Sequence, residues 1–134
     1  MSVRKLLHLF RRLDAWLVAP AIIVVVFGEL THIPLAQKLE IDVWDKALHF
    51  TAYFGLALMT TIAVRAERRA LWWALGLVVL GGALEIVQGS TGRDADIFDE
   101  LANSLGVAAG LGLGWAGIAL LKARRVLDGE FRGN

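Results

Sequence analysis

The sequence predicts an all-α integral membrane protein that folds as a four-helix bundle. Hydrophobic residues fill 57% of its 134 positions and the mean hydropathy is +0.59, whereas a soluble domain is about 45–50% apolar. Four apolar stretches each have roughly the 20 residues that a helix needs to cross a hydrocarbon core of about 30 Å. A soluble helical bundle is the disfavoured alternative, because a soluble fold this short could not bury so much apolar surface.

The predicted spans cover residues 13–30, 45–64, 70–88 and 97–121 of a single domain, 1–134. Residues 1–12 are basic and amphipathic, as in a signal peptide, but no small-x-small cleavage site follows, so we expect an uncleaved first span. Pro20 lies within that span, where a membrane helix tolerates proline. We expect residues 31–44 to form a polar linker and the charged residues 122–134 to fray.

The distribution of lysine and arginine predicts that both termini are cytoplasmic. Three of the 14 basic residues (Lys38, Lys46 and Arg93) lie in or beside the connections that follow spans one and three. The other 11 lie at the two termini and in the turn between spans two and three. By the positive-inside rule, that turn and the termini face the cytoplasm. We therefore predict a multi-pass protein of the bacterial cytoplasmic (inner) membrane.

The polar residues of all four spans are predicted to lie in the extracytoplasmic half. Glu29 and Glu85 are near the ends of outward-running spans, and Asp45, His49 and Asp99 are near the starts of inward-running spans. Helical spacing places three sets on single faces: Asp45, His49 and Tyr53; Glu85 and Gln88; Asp96, Asp99 and Asn103. The sequence therefore predicts a polar cleft at the extracytoplasmic side, with Phe50, Leu84, Ile86 and Leu105 facing elsewhere.

We assign candidate roles within this cleft. The catalytic candidates are His49, Glu85 and Asp99. The binding candidates are Asp45, Lys46, Tyr53, Gln88, Arg93, Asp96 and Asn103. No metal ligand or cofactor is assigned, and the absence of cysteine excludes thiolate sites and disulfides. Purely structural roles are the alternative: Asp96 as an N-cap, Lys46 extended to the interface and Arg93 paired with loop carboxylates.

Small residues recur every four positions on the fourth span. Ala102, Gly106, Gly110 and Gly114 allow another helix to approach closely. We expect packing within the bundle. A homodimer through Gly106, Gly110 and Gly114 is the alternative.

The polar motifs resemble the VanZ-like family of bacterial membrane proteins. The matching pattern is Asp45-Lys46-x-x-His49-Phe50-x-x-Tyr53-Phe54-x-Leu56, then Glu85-x-x-Gln88, then Gly92-Arg93-x-x-Asp96-x-x-Asp99-x-x-x-Asn103-x-x-Gly106. The resemblance covers residues 44–114 and implies a VanZ-like membrane domain. The family takes its name from a protein associated with low-level teicoplanin resistance, so the resemblance also implies a link to glycopeptide antibiotic resistance. It names no reaction.

Three functions remain open. The favoured hypothesis is binding or modification of an envelope molecule at the outer leaflet: a lipid headgroup, a cell-wall precursor or a glycopeptide, with Lys46 and Arg93 meeting phosphate. The second is an intramembrane hydrolase or transferase acting on a lipid-linked substrate, with His49 as base and Glu85 as acid. Its metal variant, with His49, Glu85 and Asp99 as ligands, would suit Mg²⁺ or Mn²⁺ better than Zn²⁺. The third is a small proton-coupled transporter. Membrane lipids are the expected partners, and nucleic acid is not.

Overall fold

The computed structural model describes the backbone of residues 3–30, 42–90 and 96–131, and the side chains of residues 16–30, 45–90 and 96–124. These residues form four helices and no strands, which confirms the predicted all-α class. The helices are α1 (Val3–Leu30), α2 (Asp42–Ala63), α3 (Arg68–Ser90) and α4 (Ile97–Phe131). The predicted linker, residues 31–44, lies mostly outside the described residues.

Two helices extend beyond the predicted spans. α1 begins at Val3, so the basic N-terminal segment continues the apolar helix instead of preceding it. α4 continues to Phe131, so the prediction that residues 122–134 fray is wrong for most of this segment. Residues 122–131 contain no proline, and the leucine, alanine, lysine and arginine among them are good helix formers. At about 1.5 Å per residue, α4 is longer than a hydrocarbon core is thick.

A tight turn joins α2 to α3. The Ala66 N–H donates to the Thr61 carbonyl (2.9 Å) and the Arg65 N–H to the Ile62 carbonyl (3.1 Å), which is the hydrogen-bond pattern of a Schellman cap. Arg65 and Ala66 have φ values of 61° and 52°, in the left-handed region that usually favours glycine. The turn reverses the chain in four residues and sets α3 against α2.

Helices α2 and α4 form the largest packing interface, and they run parallel. The three α4 glycines contact α2 positions that advance in the same direction along the chain. A Cβ atom built on each glycine would meet, in order, the Phe50 carbonyl oxygen, the Phe54 carbonyl oxygen and Thr61 Cγ2. The expected packing within the bundle is therefore present. Because α2 covers Gly106, Gly110 and Gly114, a second copy could use this face only by displacing α2.

The exterior of the bundle carries large apolar side chains. Trp16 is 81% exposed, Trp72 and Ile86 are each 74% exposed, and Ile97 is 80% exposed. Within the described residues, two helices, Arg68–Ser90 and Ile97–Arg124, are long and apolar enough to cross a membrane. The apolar part of α1, Trp16–Leu30, is shorter. α2 is not among them, and it carries Lys46 and His49 in its first half and Tyr53 near its middle.

The interior of the bundle contains the predicted polar faces. His49, Tyr53, Glu85, Gln88, Asp99 and Asn103 are all buried. Phe50, Ile86 and Leu105 are exposed as predicted, but Leu84 is 7% exposed and therefore buried. Leu84 belongs to a stripe of α3 that also contains Leu77, Gly81 and Gln88. The spacing of these residues, close to 3.5, places them on one helix face.

Candidate functional site

The polar side chains of all four helices meet at one end of the bundle. α1 and α3 end there, and α2 and α4 begin there. The residues that meet there are Glu29, Asp45, Lys46, His49, Tyr53, Glu85, Gln88, Asp96, Asp99, Glu100 and Asn103. We call these residues the polar cluster. The start of α1, at Val3, and the end of α4, at Phe131, lie away from the polar cluster.

A hydrogen-bonded chain at the centre of the polar cluster fixes the orientation of His49. His49 Nδ1 lies 3.1 Å from Asn103 Oδ1, and Asn103 Nδ2 donates to Glu100 Oε2 at 3.4 Å. Since Asn103 uses its amide nitrogen on Glu100, its oxygen accepts from the histidine. The proton of a neutral His49 is therefore on Nδ1, and Nε2 carries the lone pair.

Three carboxylates surround the His49 ring. Glu29 Oε1 is 3.5 Å from Nδ1, and Asp99 Oδ2 is 4.0 Å from Nε2. Asp45 is one helical turn before His49, and a carboxylate oxygen of Asp45, a ring nitrogen of His49 and a carboxylate oxygen of Asp99 all lie within 4.8 Å of one another. Carboxylates on both edges of the ring favour a positive charge at this position, either on the imidazole or on a bound cation.

Lys46 connects the first turns of α2 and α4. Its Nζ is 3.1 Å from Asp96 Oδ2 and 3.8 Å from Asp99 Oδ1. Asp96 also caps α4, because its Oδ1 accepts the Phe98 N–H at 2.9 Å. The Phe98 N–H and then the Lys46 ammonium lower the pKa of Asp96. Asp96 therefore has the N-cap role that was predicted as the alternative to ligand binding. Lys46 pairs with the carboxylates of Asp96 and Asp99.

The end of α3 connects α1 to the start of α4. Gln88 Nε2 donates to the Glu29 carbonyl at 2.8 Å, and Glu85 Oε2 accepts the Asp96 N–H at 3.3 Å. Both side chains are buried. Gln88 therefore links α3 to α1. Glu85 binds the residue before α4 through Oε2 and keeps Oε1 within the polar cluster.

Several buried polar atoms have no hydrogen-bond partner within the described residues. They include the Tyr53 hydroxyl, Glu85 Oε1 and Asp99 Oδ1. Tyr53 is fully buried, and Gly81 provides the space for it: a Cβ at Gly81 would lie 3.3 Å from the Tyr53 hydroxyl and 2.6 Å from Glu100 Oε2. A buried polar group without a partner costs about 1–3 kcal/mol, so such groups are expected to serve a ligand, an ion or water.

The structure brings together nine of the ten predicted site residues, all except Arg93. Arg93 lies outside the described residues. Two further members, Glu29 and Glu100, were not assigned to the site. The position of Glu29 near the end of the first predicted span, level with the other predicted polar residues, was the available signal. Glu100 gave none, because it lies beside Asp99 in the first turn of α4, where acidic residues commonly stabilise the helix dipole.

One group in the polar cluster has the composition of a metal site. Asp45, His49 and Asp99 each place one potential ligand atom close enough to share an ion. The combination considered from the sequence was His49, Glu85 and Asp99. Among the described residues, Asp45 takes the place of Glu85 in the group that meets this criterion.

Comparison of the chain with protein-family models, with curated proteins and with solved structures finds no match. The similarity to the VanZ-like family remains a prediction from the motifs, as does the link to glycopeptide resistance.

Proposed function

We propose that this chain is a multi-pass protein of the bacterial inner membrane that binds or modifies an envelope molecule at the outer leaflet through the polar cluster. The arrangement of surface and interior supports membrane insertion. Large apolar side chains such as Trp16, Trp72 and Ile86 are exposed, whereas charged and amide side chains are buried. A bundle with this distribution would aggregate in water but would be well solvated by lipid.

The observation that carries the proposed binding role is the set of buried polar atoms that have no hydrogen-bond partner among the residues that the structure describes. The Tyr53 hydroxyl, Glu85 Oε1 and Asp99 Oδ1 are contributed by three different helices. A cluster that only joined helices would be expected to supply hydrogen-bond partners for these atoms from its own side chains, because an unpaired polar atom in a low-dielectric interior is costly. Their unused hydrogen-bonding capacity suits a polar ligand.

The charge of the polar cluster suggests which part of the ligand enters. It contains six carboxylates and one lysine, and Lys46 is already paired with Asp96 and Asp99. This excess of acid favours an amine or hydroxyl group over a phosphate. The earlier hypothesis that Lys46 contacts phosphate is therefore less favoured. An amine-bearing headgroup at the outer leaflet fits the buried carboxylates better.

The enzymatic and transport hypotheses remain alternatives. His49 has the oriented ring of a general base, but the hydrogen bond that orients it comes from Asn103 and not from Asp99, whose Oδ2 is 4.0 Å from Nε2. Transport would require polar groups along the bundle. In the second half of α2, the buried Thr60 and Thr61 hydroxyls donate to backbone carbonyls of their own helix. These hydroxyls are thereby satisfied locally, which disfavours a proton path through them.

The proposed topology predicts which turns can be labelled from outside the cell. The native chain has no cysteine, so single cysteines can be introduced without background. Ser90→Cys, at the end of α3, is expected to react with a membrane-impermeant maleimide on intact cells or spheroplasts. Glu67→Cys, between α2 and α3, is expected to react only after the membrane is permeabilised. Labelling of Glu67→Cys in intact spheroplasts would contradict the topology.

Ligand binding predicts that a defined lipid stabilises the native chain more than a site variant. We expect phosphatidylethanolamine, added to the purified chain in detergent, to raise the thermal midpoint, and phosphatidylglycerol to raise it less. At a hundredfold excess over Kd, binding stabilises by about 2.7 kcal/mol. In Glu85→Gln this lipid-specific gain is expected to fall by at least half, because the substitution removes a buried acceptor.

The control for this titration is Glu67→Gln, which removes the same charge from an exposed turn position. It is expected to retain the full gain from phosphatidylethanolamine. Equal gains from both lipids in the native chain, or equal gains in native and Glu85→Gln chains, would rule out an amine-bearing headgroup at this cluster.

A further inference from the structure

We infer that Asp45, His49 and Asp99 form a divalent-cation site of the Mn²⁺ class within the polar cluster. Asp45 and His49 lie in the first half of α2, and Asp99 lies in the first turn of α4. Asp45 and His49 are four residues apart on one face of α2, and Asp99 faces them from α4. The inference deepens the proposed function, and it rests on the polar cluster being a binding site.

The separations among the three side chains approach those of metal ligands. Two atoms that each lie about 2.1 Å from one ion are roughly 3.0–4.2 Å apart, depending on the angle between them. His49 Nε2 and Asp99 Oδ2 are 4.0 Å apart, and the potential ligand atoms of all three residues fall within 4.8 Å of one another. Small side-chain rotations would therefore bring the three atoms to bonding distance.

The hydrogen bond on the far side of His49 provides independent support. Metal-binding histidines almost always donate their other ring N–H to an oxygen acceptor, which fixes the tautomer. His49 Nδ1 has this contact with Asn103 Oδ1 at 3.1 Å, and Glu100 in turn holds the Asn103 amide. This network directs Nε2 towards Asp99 Oδ2, which lies 4.0 Å away.

The other oxygen of the Asp99 carboxylate is a buried acceptor that a bound cation would also satisfy. Asp99 is 7% exposed, and its Oδ1 has no hydrogen-bond partner within the described residues. Lys46 Nζ is 3.8 Å from this oxygen but only 3.1 Å from Asp96 Oδ2. Lys46 can therefore stay paired with Asp96 while a cation binds the Asp99 carboxylate. Carboxylate ligands suit Mg²⁺ and Mn²⁺, and an imidazole ligand suits transition metals, so Mn²⁺ fits this set of two carboxylates and one imidazole best.

Binding of Mn²⁺ to the full chain in detergent, measured by electron paramagnetic resonance, tests this inference. We expect saturable binding of one ion per chain, with ¹⁴N modulation from the imidazole, and displacement by Zn²⁺. His49→Gln is expected to abolish the ¹⁴N modulation. Asp99→Asn and Asp45→Asn are expected to weaken binding by at least tenfold, since loss of an outer-shell partner alone costs 10–100-fold. Asp45 is half-buried, so its variant carries the lower risk of misfolding.

Glu67→Gln serves as the matched control, with native affinity and native modulation expected. Absence of saturable Mn²⁺ and Zn²⁺ binding to the folded native chain would overturn the metal site. Equal affinity in the native, Asp45→Asn and Asp99→Asn chains would also overturn it. Because the metal is added without lipid, these outcomes are independent of the phosphatidylethanolamine titration. A negative metal result with a positive lipid result would leave the proposed binding function intact.

Discussion

Replacing Gly110 by alanine is expected to lower the free energy of unfolding by about 1–3 kcal/mol. The reason is a backbone-to-backbone contact between parallel helices. A Cβ at Gly110 would overlap the Phe54 carbonyl oxygen and lie 2.9 Å from the Leu58 nitrogen. Backbone atoms cannot rotate away as a side chain can. The two helices would therefore have to separate along their glycine-lined interface, which we call the α2–α4 seam. Gly110→Leu is expected to be worse still. Thermal or denaturant unfolding of the purified chain in detergent measures the loss.

A second α4 glycine gives this experiment an internal control. A Cβ at Gly112 would meet nothing within 4 Å. Gly112→Ala is therefore expected to raise stability by roughly 0.5–1 kcal/mol, the usual gain when alanine replaces glycine within a helix. The two substitutions are chemically identical and two residues apart. Equal unfolding midpoints for Gly110→Ala and Gly112→Ala would show that the α2–α4 seam is not packed as described.

The seam also shows how far the sequence could predict the fold. The four-residue spacing of Gly106, Gly110 and Gly114 indicated a face for close helix approach. It could not indicate which helix approaches, because α2, α3 and a second copy all offer apolar faces. The choice of α2 depends on long-range contacts. In particular, Phe50 and Phe54 present their carbonyls to the glycines, and no local pattern specifies this.

The sequence could predict that the polar residues meet at one end of the bundle, but not how they are arranged there. Helical periodicity placed His49 with Tyr53 and Glu85 with Gln88 on buried faces, and all four are buried. The rotation of each helix about its axis was not determined, so the sequence grouped Glu85 rather than Asp45 with His49 and Asp99 as possible metal ligands. Glu29 was missed because α1 has no second polar residue one turn away to mark its buried face.

The buried carboxylates are expected to be held at a cost to stability, so Glu85→Gln and Asp99→Asn should unfold at or above the midpoint of the native chain. Each has an oxygen without a hydrogen-bond partner within the described residues, and both lie among like charges. Neutralising a functional group of this kind commonly stabilises a protein by about 0.5–2 kcal/mol. Lys46 retains Asp96 at 3.1 Å after Asp99 is neutralised, so no new unpaired cation is created.

Asn103→Leu should have the opposite effect and lose about 1–3 kcal/mol. Asn103 is fully buried and bridges His49 and Glu100, so its removal leaves the buried His49 and the half-buried Glu100 without this partner. The contrast in sign separates a ligand-binding cluster from a structural one. If the two carboxylates were structural partners, their substitution would cost about 3–5 kcal/mol, the usual effect of breaking a buried ion pair. Losses of that size in Glu85→Gln and Asp99→Asn would mean that the polar cluster mainly joins the helices. The assigned site residues would then be wrong, although the four-helix fold would stand.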